Sequence, residues 1–239
     1  MKYKRWIACC LALVCAAGVW QTIRTGKPVG LAHVFGSRDT APTLVLDAGH
    51  GGFDGGAVGA NGTTEQHINL CITRGVRDLA GLFGIPSVLT RDNEEALDYK
   101  PGRAVRENKV ADIKAREAAC MQVANPVFIS IHLNKFEQAQ YFGAQVFYSK
   151  NNAQGKPLAE SIQASLIEGI QNGNTRVAKQ AADTIYLMKK LDCPALVVEC
   201  GFLSNPAEEA RLGQTDYQTQ LAVCIVSGYL RGRGVLTGQ

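Results

Sequence analysis

Leu44-Val45-Leu46-Asp47-Ala48-Gly49-His50-Gly51-Gly52 is the stretch that decides how the rest of the chain reads. Its first half is a short apolar run with β-branched content, the pattern of a buried strand, and it stops at a glycine-rich turn carrying one histidine. Proteins of the α/β class place their chemistry at strand ends. Gly49, Gly51, Gly52, Gly55, Gly56, Gly59 and Gly62 let the turn pass close to a ligand. They do not form a dinucleotide fingerprint, because the Gly49/Gly51 pair has Asp54 where the third glycine would stand, and no G-x-x-x-x-G-K-[ST] occurs. What the turn delivers is the imidazole of His50 and, fifteen residues later, the carboxylate of Glu65, where a helical pattern begins. Both are hard-to-borderline ligands suited to zinc.

Downstream, Ile68, Ile72, Val76, Leu79 and Phe83 recur at spacings of four, four, three and four, which predicts an amphipathic helix ended by Gly84. Ser87 to Thr90 reads as a second strand, 91–102 as a polar loop and 104–124 as a long exposed helix. Pro126 to Ile131 is another apolar strand, and at its end stands His132. Further strands are expected over 143–149 and 184–188, with a helix over 158–170 between them. Pro194 to Val198 then rises into Glu199, and Tyr217, Leu221, Ile225 and Gly228 mark a closing helix. This order predicts one three-layer α/β domain over 43–232, with a mostly parallel sheet of about six strands flanked by helices.

Parallel strands end on one edge of a sheet, so His50, His132 and Glu199 can meet in one crevice. A charge directly after an apolar run is costly unless it is paired or at a water-facing edge, which puts Glu199 at that same edge. Taken singly, a histidine at a strand end is more often hydrogen-bonded than metal-bound. Together, two imidazoles and two carboxylates suffice for three ligands, an open position and a separate base. His67 competes with Glu65, but residues two apart on a helix point about 200° apart, so both cannot face one ion.

The chain has 239 residues, 46% of them hydrophobic, enough for one sizeable core. Its net charge of +4 comes from the N-terminus: residues 1–38 hold six basic residues and no acid, and the remainder has 19 basic against 21 acidic residues. That balance argues against a nucleic-acid partner. Lys2, Lys4 and Arg5 precede an uncharged run from Trp6 to Trp20, the n-region and h-region of an export signal. Cys15-Ala16-Ala17 offers a small-residue cleavage site, whereas the positive flank favours an uncleaved anchor over 1–23, with a linker over 24–42 and the domain on the outer face of the cytoplasmic membrane. The anchor is the favoured reading, and secretion after cleavage is the alternative. His33 reads as a solvated linker residue. Of eight cysteines, Cys9, Cys10 and Cys15 fall in the apolar run, and the other five form no C-x-x-C pair, so they read as small buried side chains rather than as a disulfide framework.

With these segments in hand, the chain resembles the zinc-dependent N-acetylmuramoyl-L-alanine amidases. The likeness rests on Asp47-Ala48-Gly49-His50-Gly51-Gly52, Glu65 with Asn69-Leu70, Leu89-Thr90-Arg91-Asp92, Ser130-Ile131-His132-Leu133-Asn134, and Val198-Glu199-Cys200-Gly201-Phe202-Leu203-Ser204-Asn205. The departures are Ala48 for the common proline, Leu133 for alanine and Cys200 for valine. The resemblance implies zinc on His50, Glu65 and His132, Glu199 as the catalytic base, and peptidoglycan as substrate, cut between the lactyl group of muramic acid and L-alanine. Within the family, the 103–116 segment, the N-terminal run and the small size resemble the amidase of spore-cortex maturation and germination, which implies a place in muramic δ-lactam formation. Division-associated members carry an inserted helix that plugs the zinc site. The 67 positions between His132 and Glu199 leave little room for one, so the site is expected to be open, with restraint from expression timing, from the anchor, or from an activating protein partner. The rival readings are a zinc peptidase acting on stem peptides, although H-E-x-x-H is absent, and a non-catalytic wall-binding module, which would need no Glu199.

Overall fold

A computed structural model describes residues 41–237, and it divides the chain into units Met1–Ala41 and Pro42–Gln239. The expected membrane segment, most of the linker, His33 and the first three cysteines lie outside the described residues. Among the described residues no helix is long and apolar enough to cross a membrane.

Six strands form one sheet: β1 (Thr43–Ala48), β2 (Ser87–Leu89), β3 (Pro126–Asn134), β4 (Gln145–Tyr148), β5 (Lys179–Gln180) and β6 (Ala195–Phe202), in the order β2-β1-β3-β6-β4-β5. β2, β1, β3 and β6 are parallel neighbours, but β4 runs antiparallel to β6, so the sheet is mixed. The helices are α1 (Glu65–Leu82), α2 (Val105–Met121), α3 (Gly155–Ile170), α4 (Tyr186–Lys190), α5 (Pro206–Leu212), α6 (Thr215–Gly232) and α7 (Gly234–Thr237).

Strand periodicity sorts side chains into two cores. On one face Leu44, Leu46, Ile129, Ile131, Leu196 and Val198 pack with apolar residues of α1, α3 and α6. On the other, Val45, Phe128, Ala195 and Val197 meet Cys120 of α2 and Leu187, Met188 and Leu191 in and after α4. The second face changes character along the strands. Val45 is followed two residues on by Asp47, Phe128 by Ser130 and His132, and Val197 by Glu199, so each strand delivers a polar group to one end of one face. The register aligns Asp47 with Ser130, and His132 with Glu199.

Two sequence expectations need correction. The apolar stretch at 184–188 is not a strand: the sheet takes Lys179–Gln180 instead, and Tyr186–Lys190 is helical. Leu187, Met188 and Leu191 are all buried, a spacing that one helical turn presents to a core and an alternating strand cannot. Phe83, placed by its spacing on the buried face of α1, sits at the helix C-cap and is 59% exposed. Ala80 fills that face, and Gly84, at φ +67°, turns the chain away.

α5 begins at Asn205, whose side chain accepts hydrogen bonds from the Ala207 and Glu208 amides, with Pro206 at the first helical position. Its first turn latches the site edge. Glu208 accepts from the amides of Gly143 and Phe202, and Glu209 from the amide of Asn61 in the glycine-rich turn.

Candidate metal centre

The turn after β1 holds its shape through the main chain. His50 has φ +63°, a left-handed conformation rarely adopted outside glycine, and Gly51 and Asp54 close a small bridge with two backbone hydrogen bonds of 2.9 and 3.0 Å. Two of the turn's glycines are demanded by close approach to the donor cluster itself: a Cβ at Gly49 would fall within the His132 ring, and one at Gly56 would lie 2.6 Å from Glu65 Oε2. The glycine richness thus serves side-chain convergence rather than a phosphate.

His50, Glu65 and His132 each present one donor atom, and these atoms all lie within 4.8 Å of one another. His50 Nε2 is 3.2 Å and His132 Nδ1 3.0 Å from Glu65 Oε1, and the two rings meet edge to face at 5.0 Å. Glu65, the first residue of α1, is fixed by the Ala57 amide on Oε2 (2.8 Å) and by the Leu133 amide and Asn69 Nδ2 on Oε1 (3.0 and 3.2 Å). The remaining nitrogen of His50, Nδ1, donates to Asp54 Oδ2 at 3.0 Å, the carboxylate–histidine relation that orients an imidazole ligand. The imidazole side chains stay open, 25% exposed for His50 and 26% for His132, against 4% for Glu65.

The electrostatics favour positive charge between these groups. Burial alone would depress the His50 imidazole, but Asp54 and Glu65 push it up to about 9. Burial would raise the Glu65 carboxyl, yet hydrogen bonds and charge from His132 and His50 hold it far below the usual carboxylate range. The three side chains point their donor atoms at one another, and two imidazoles with one carboxylate is a donor set that suits zinc. The residues therefore fit a zinc ion.

Glu199 stands beside His132 across the β3–β6 ladder. Burial is the largest influence on its carboxyl and raises its pKa, with Glu65 adding to the rise and the two histidines opposing it. Its Oε2 is buried and, among the described residues, has no hydrogen-bond partner. A carboxylate oxygen left free at the rim of a donor cluster is placed to exchange a proton. A cleft of about 240 Å³ opens beside the two histidines, lined by His50, Phe53, Lys109, His132, Ile185 and Met188 among others.

All four residues singled out from the sequence thus come together at one edge of the sheet. His67 does not join them: it is exposed and pairs with Glu94 at 2.7 Å. In the interval from 135 to 195, α3 and α4 supply no donor to the cluster.

Sequence reasoning missed what holds the turn. Arg116, from the helix read as exposed, is buried: its Nε donates to Asp112 (2.8 Å), one terminal nitrogen to Asp47 Oδ1 (2.6 Å) and to the Ala48 carbonyl (2.7 Å), the other to the His50 carbonyl (2.5 Å). Arg91 donates to the carbonyls of Ala48, Gly49, Gln66 and Asn93 at 2.7–3.0 Å. Asp47 also accepts from Thr90 and Ser130, at 2.7 and 2.5 Å. Burial would raise the Asp47 carboxyl, but Arg116, Ser130 and Thr90 together bring it below its ordinary value. Asp54 was passed over as well, although its place four residues after His50 was the available signal.

The sequence profile described as N-acetylmuramoyl-L-alanine amidase matches residues 44–231. The germination-specific N-acetylmuramoyl-L-alanine amidase of Bacillus subtilis (strain 168) is 36% identical over 188 residues, covering 79% of this chain and 78% of that protein. Among solved structures, the CwlD amidase of Clostridioides difficile, determined in complex with the GerS lipoprotein, is 39% identical with a TM-score of 0.76, over 81% of this chain and 99% of that one. The catalytic domain of CwlV, an N-acetylmuramoyl-L-alanine amidase from Bacillus (Paenibacillus) polymyxa var. colistinus, is 26% identical with a TM-score of 0.66, over 80% and 97%.

Proposed function

Since the chain belongs to the N-acetylmuramoyl-L-alanine amidase family and is an amidase of peptidoglycan, we propose that it works with one zinc ion held by His50, Glu65 and His132, and with Glu199 as its general base. The observation that carries this reading is the convergence of three donor atoms within 4.8 Å beside a carboxylate that has one free oxygen.

Bound at this site, zinc would supply Lewis acidity and lower the pKa of water toward about 7. The chain's own groups do the rest. Glu199, its proton affinity raised by burial, takes a proton from the attacking water through its free oxygen. As the carbon–nitrogen bond between the lactyl carbonyl and L-alanine breaks, Glu199 returns that proton to the departing nitrogen. Asp54 keeps His50 in one ring orientation throughout, and the Ala57 and Leu133 amides keep Glu65 in place. The products are a peptide-free muramic acid and a free stem peptide.

The likeness to the germination-specific amidase supports a place in spore-cortex maturation, where peptide-free muramic acid is the precursor of muramic δ-lactam. The Clostridioides difficile neighbour in complex with a lipoprotein supports a protein partner for this chain too. The basic, apolar N-terminus supports export and tethering to the outer face of the cytoplasmic membrane.

Purified protein incubated with defined muropeptides tests the reading directly. Mass spectrometry should find free stem peptide with intact glycan, lost on chelation and restored by zinc. Cleavage inside the stem peptide, or full activity after the metal is removed, would overturn it.

A further inference from the structure

Two cysteines that share no sequence motif meet in the smaller core. Cys120 lies in the last turn of α2 and Cys193 in the short connection that leads into β6, 73 residues away, and their sulfurs are 3.9 Å apart. Cys120 is 1% exposed, whereas Cys193 is half-buried, so a reagent in solution can reach the second and not the first. Cys71 instead contacts His67, and Cys200 contacts the Val198 carbonyl. We propose that Cys120 and Cys193 form a disulfide-bonding site that closes by exchange with a low-molecular-weight disulfide such as oxidised glutathione or cystine.

A disulfide needs a sulfur–sulfur distance of about 2.05 Å, so the two atoms must approach by about 1.9 Å. Cys193 sits in an irregular connection between α4 and β6, outside helix and strand, where the backbone can move to close that gap. The pair is also polarised for exchange. The contact with Cys120 is the largest influence on Cys193 and pulls its thiol down, burial opposes it, and the Phe128 amide helps, while the same contact and burial push Cys120 up. Cys193 is also the member of the pair that a reagent in solution can reach, so it is the attacking thiolate. Its sulfur forms a bond to one sulfur of the reagent and expels the other half as a thiolate. Cys120 then gives up its proton, bonds to the Cys193 sulfur and expels the second half. The two cysteines lose two electrons and two protons, and the reagent gains both as two thiols. The product joins the helix that carries Arg116, one turn before Cys120, to the connection leading into the strand that carries Glu199. In an oxidising compartment the site closes, and in a reducing one it rests as two thiols.

The test uses the full chain, reduced, freed of reductant and incubated with oxidised glutathione. Peptide mapping without reduction should recover Cys120 and Cys193 joined, and the thermal midpoint should rise on the order of 10 °C above that of Cys193→Ser treated alike, as expected for closing a long loop in a domain of this size. Cys120→Ser should stop at the glutathione adduct on Cys193. Quantitative alkylation of both cysteines after treatment and denaturation would overturn the proposal. So would a wild-type product that stops at the Cys193 adduct, or Cys193 joined to one of the N-terminal cysteines instead of to Cys120.

Discussion

Replacing Arg116 by methionine tests whether the His50 turn is held from beneath by a buried ion pair. The guanidinium makes four hydrogen bonds, to Asp112, Asp47 and the carbonyls of Ala48 and His50. Methionine keeps the aliphatic volume and the helix propensity but strands Asp47, which is 1% exposed, without its counter-ion. Removing one member of a buried pair costs about 3–5 kcal/mol, because the other charge stays behind unpaired. For a domain near two hundred residues that is a fall in thermal midpoint on the order of 10 °C. The assay is denaturant unfolding followed by circular dichroism on chelated protein, so that metal binding adds nothing to either variant. The pH dependence supplies the sign. In the wild type the folded-state pKa of Asp47 lies below its unfolded value, so its contribution is complete above about pH 4 and is lost as pH falls through the folded pKa. In Arg116→Met burial acts without its main opponent, the folded pKa rises, and acid relieves the stranded charge. The gap between the two proteins should therefore be full at about pH 7.5 and narrower at about pH 4, and adding Asp47→Asn should recover a good part of it. A loss below about 1 kcal/mol at neutral pH, or a gap that widens in acid, would refute the reasoning.

Three further outcomes follow from the site geometry. His132→Ala should lower bound zinc from one per chain to well below one by metal analysis, with activity lost in step; full zinc content would remove His132 from the ligand set. Glu199→Gln should keep zinc and lower turnover by about 10²–10⁴, as loss of a general base does, and a wild-type rate would exclude it as the base. Asp54→Asn should weaken zinc affinity by about 10–100-fold through loosened orientation of His50, read by competition with a chromogenic chelator, and an unchanged affinity would leave the 3.0 Å contact without a role in metal binding.

Much of the sheet was legible because its central strands are bounded apolar runs. β1, β3 and β6 each read as short buried segments ending in a polar residue, and all three deliver that residue to one edge. The weak points were the short elements. β5 is two exposed residues without periodicity, and α4 is a single five-residue helix whose apolar content reads equally as a strand. The antiparallel placement of β4 was hidden too, since direction within a sheet is set by where the chain can cross over and not by the strand's own composition.

The supports of the site were invisible for a different reason. A ligand has to be a particular residue at a strand end, whereas a support is defined by what it touches. Arg116 sits in a helix of charged residues, where arginine ordinarily means a solvated face, and only the packing of α2 against the sheet turns it inward to Asp47. Asp47 carries the same ambiguity: next to Ala48 and Gly49 it looks like the opening of a turn, yet it is wholly inside the domain. The two explain each other. A carboxylate at that depth is tolerated only with a partner, the nearest helix supplies one, and the same guanidinium reaches on to the carbonyls of Ala48 and His50. The left-handed His50 is thereby held by contacts from an element 66 residues away rather than by its own sequence. The ligand geometry of the turn is thus a tertiary property, and it should loosen when Arg116 is removed even though every residue of the glycine-rich segment is unchanged.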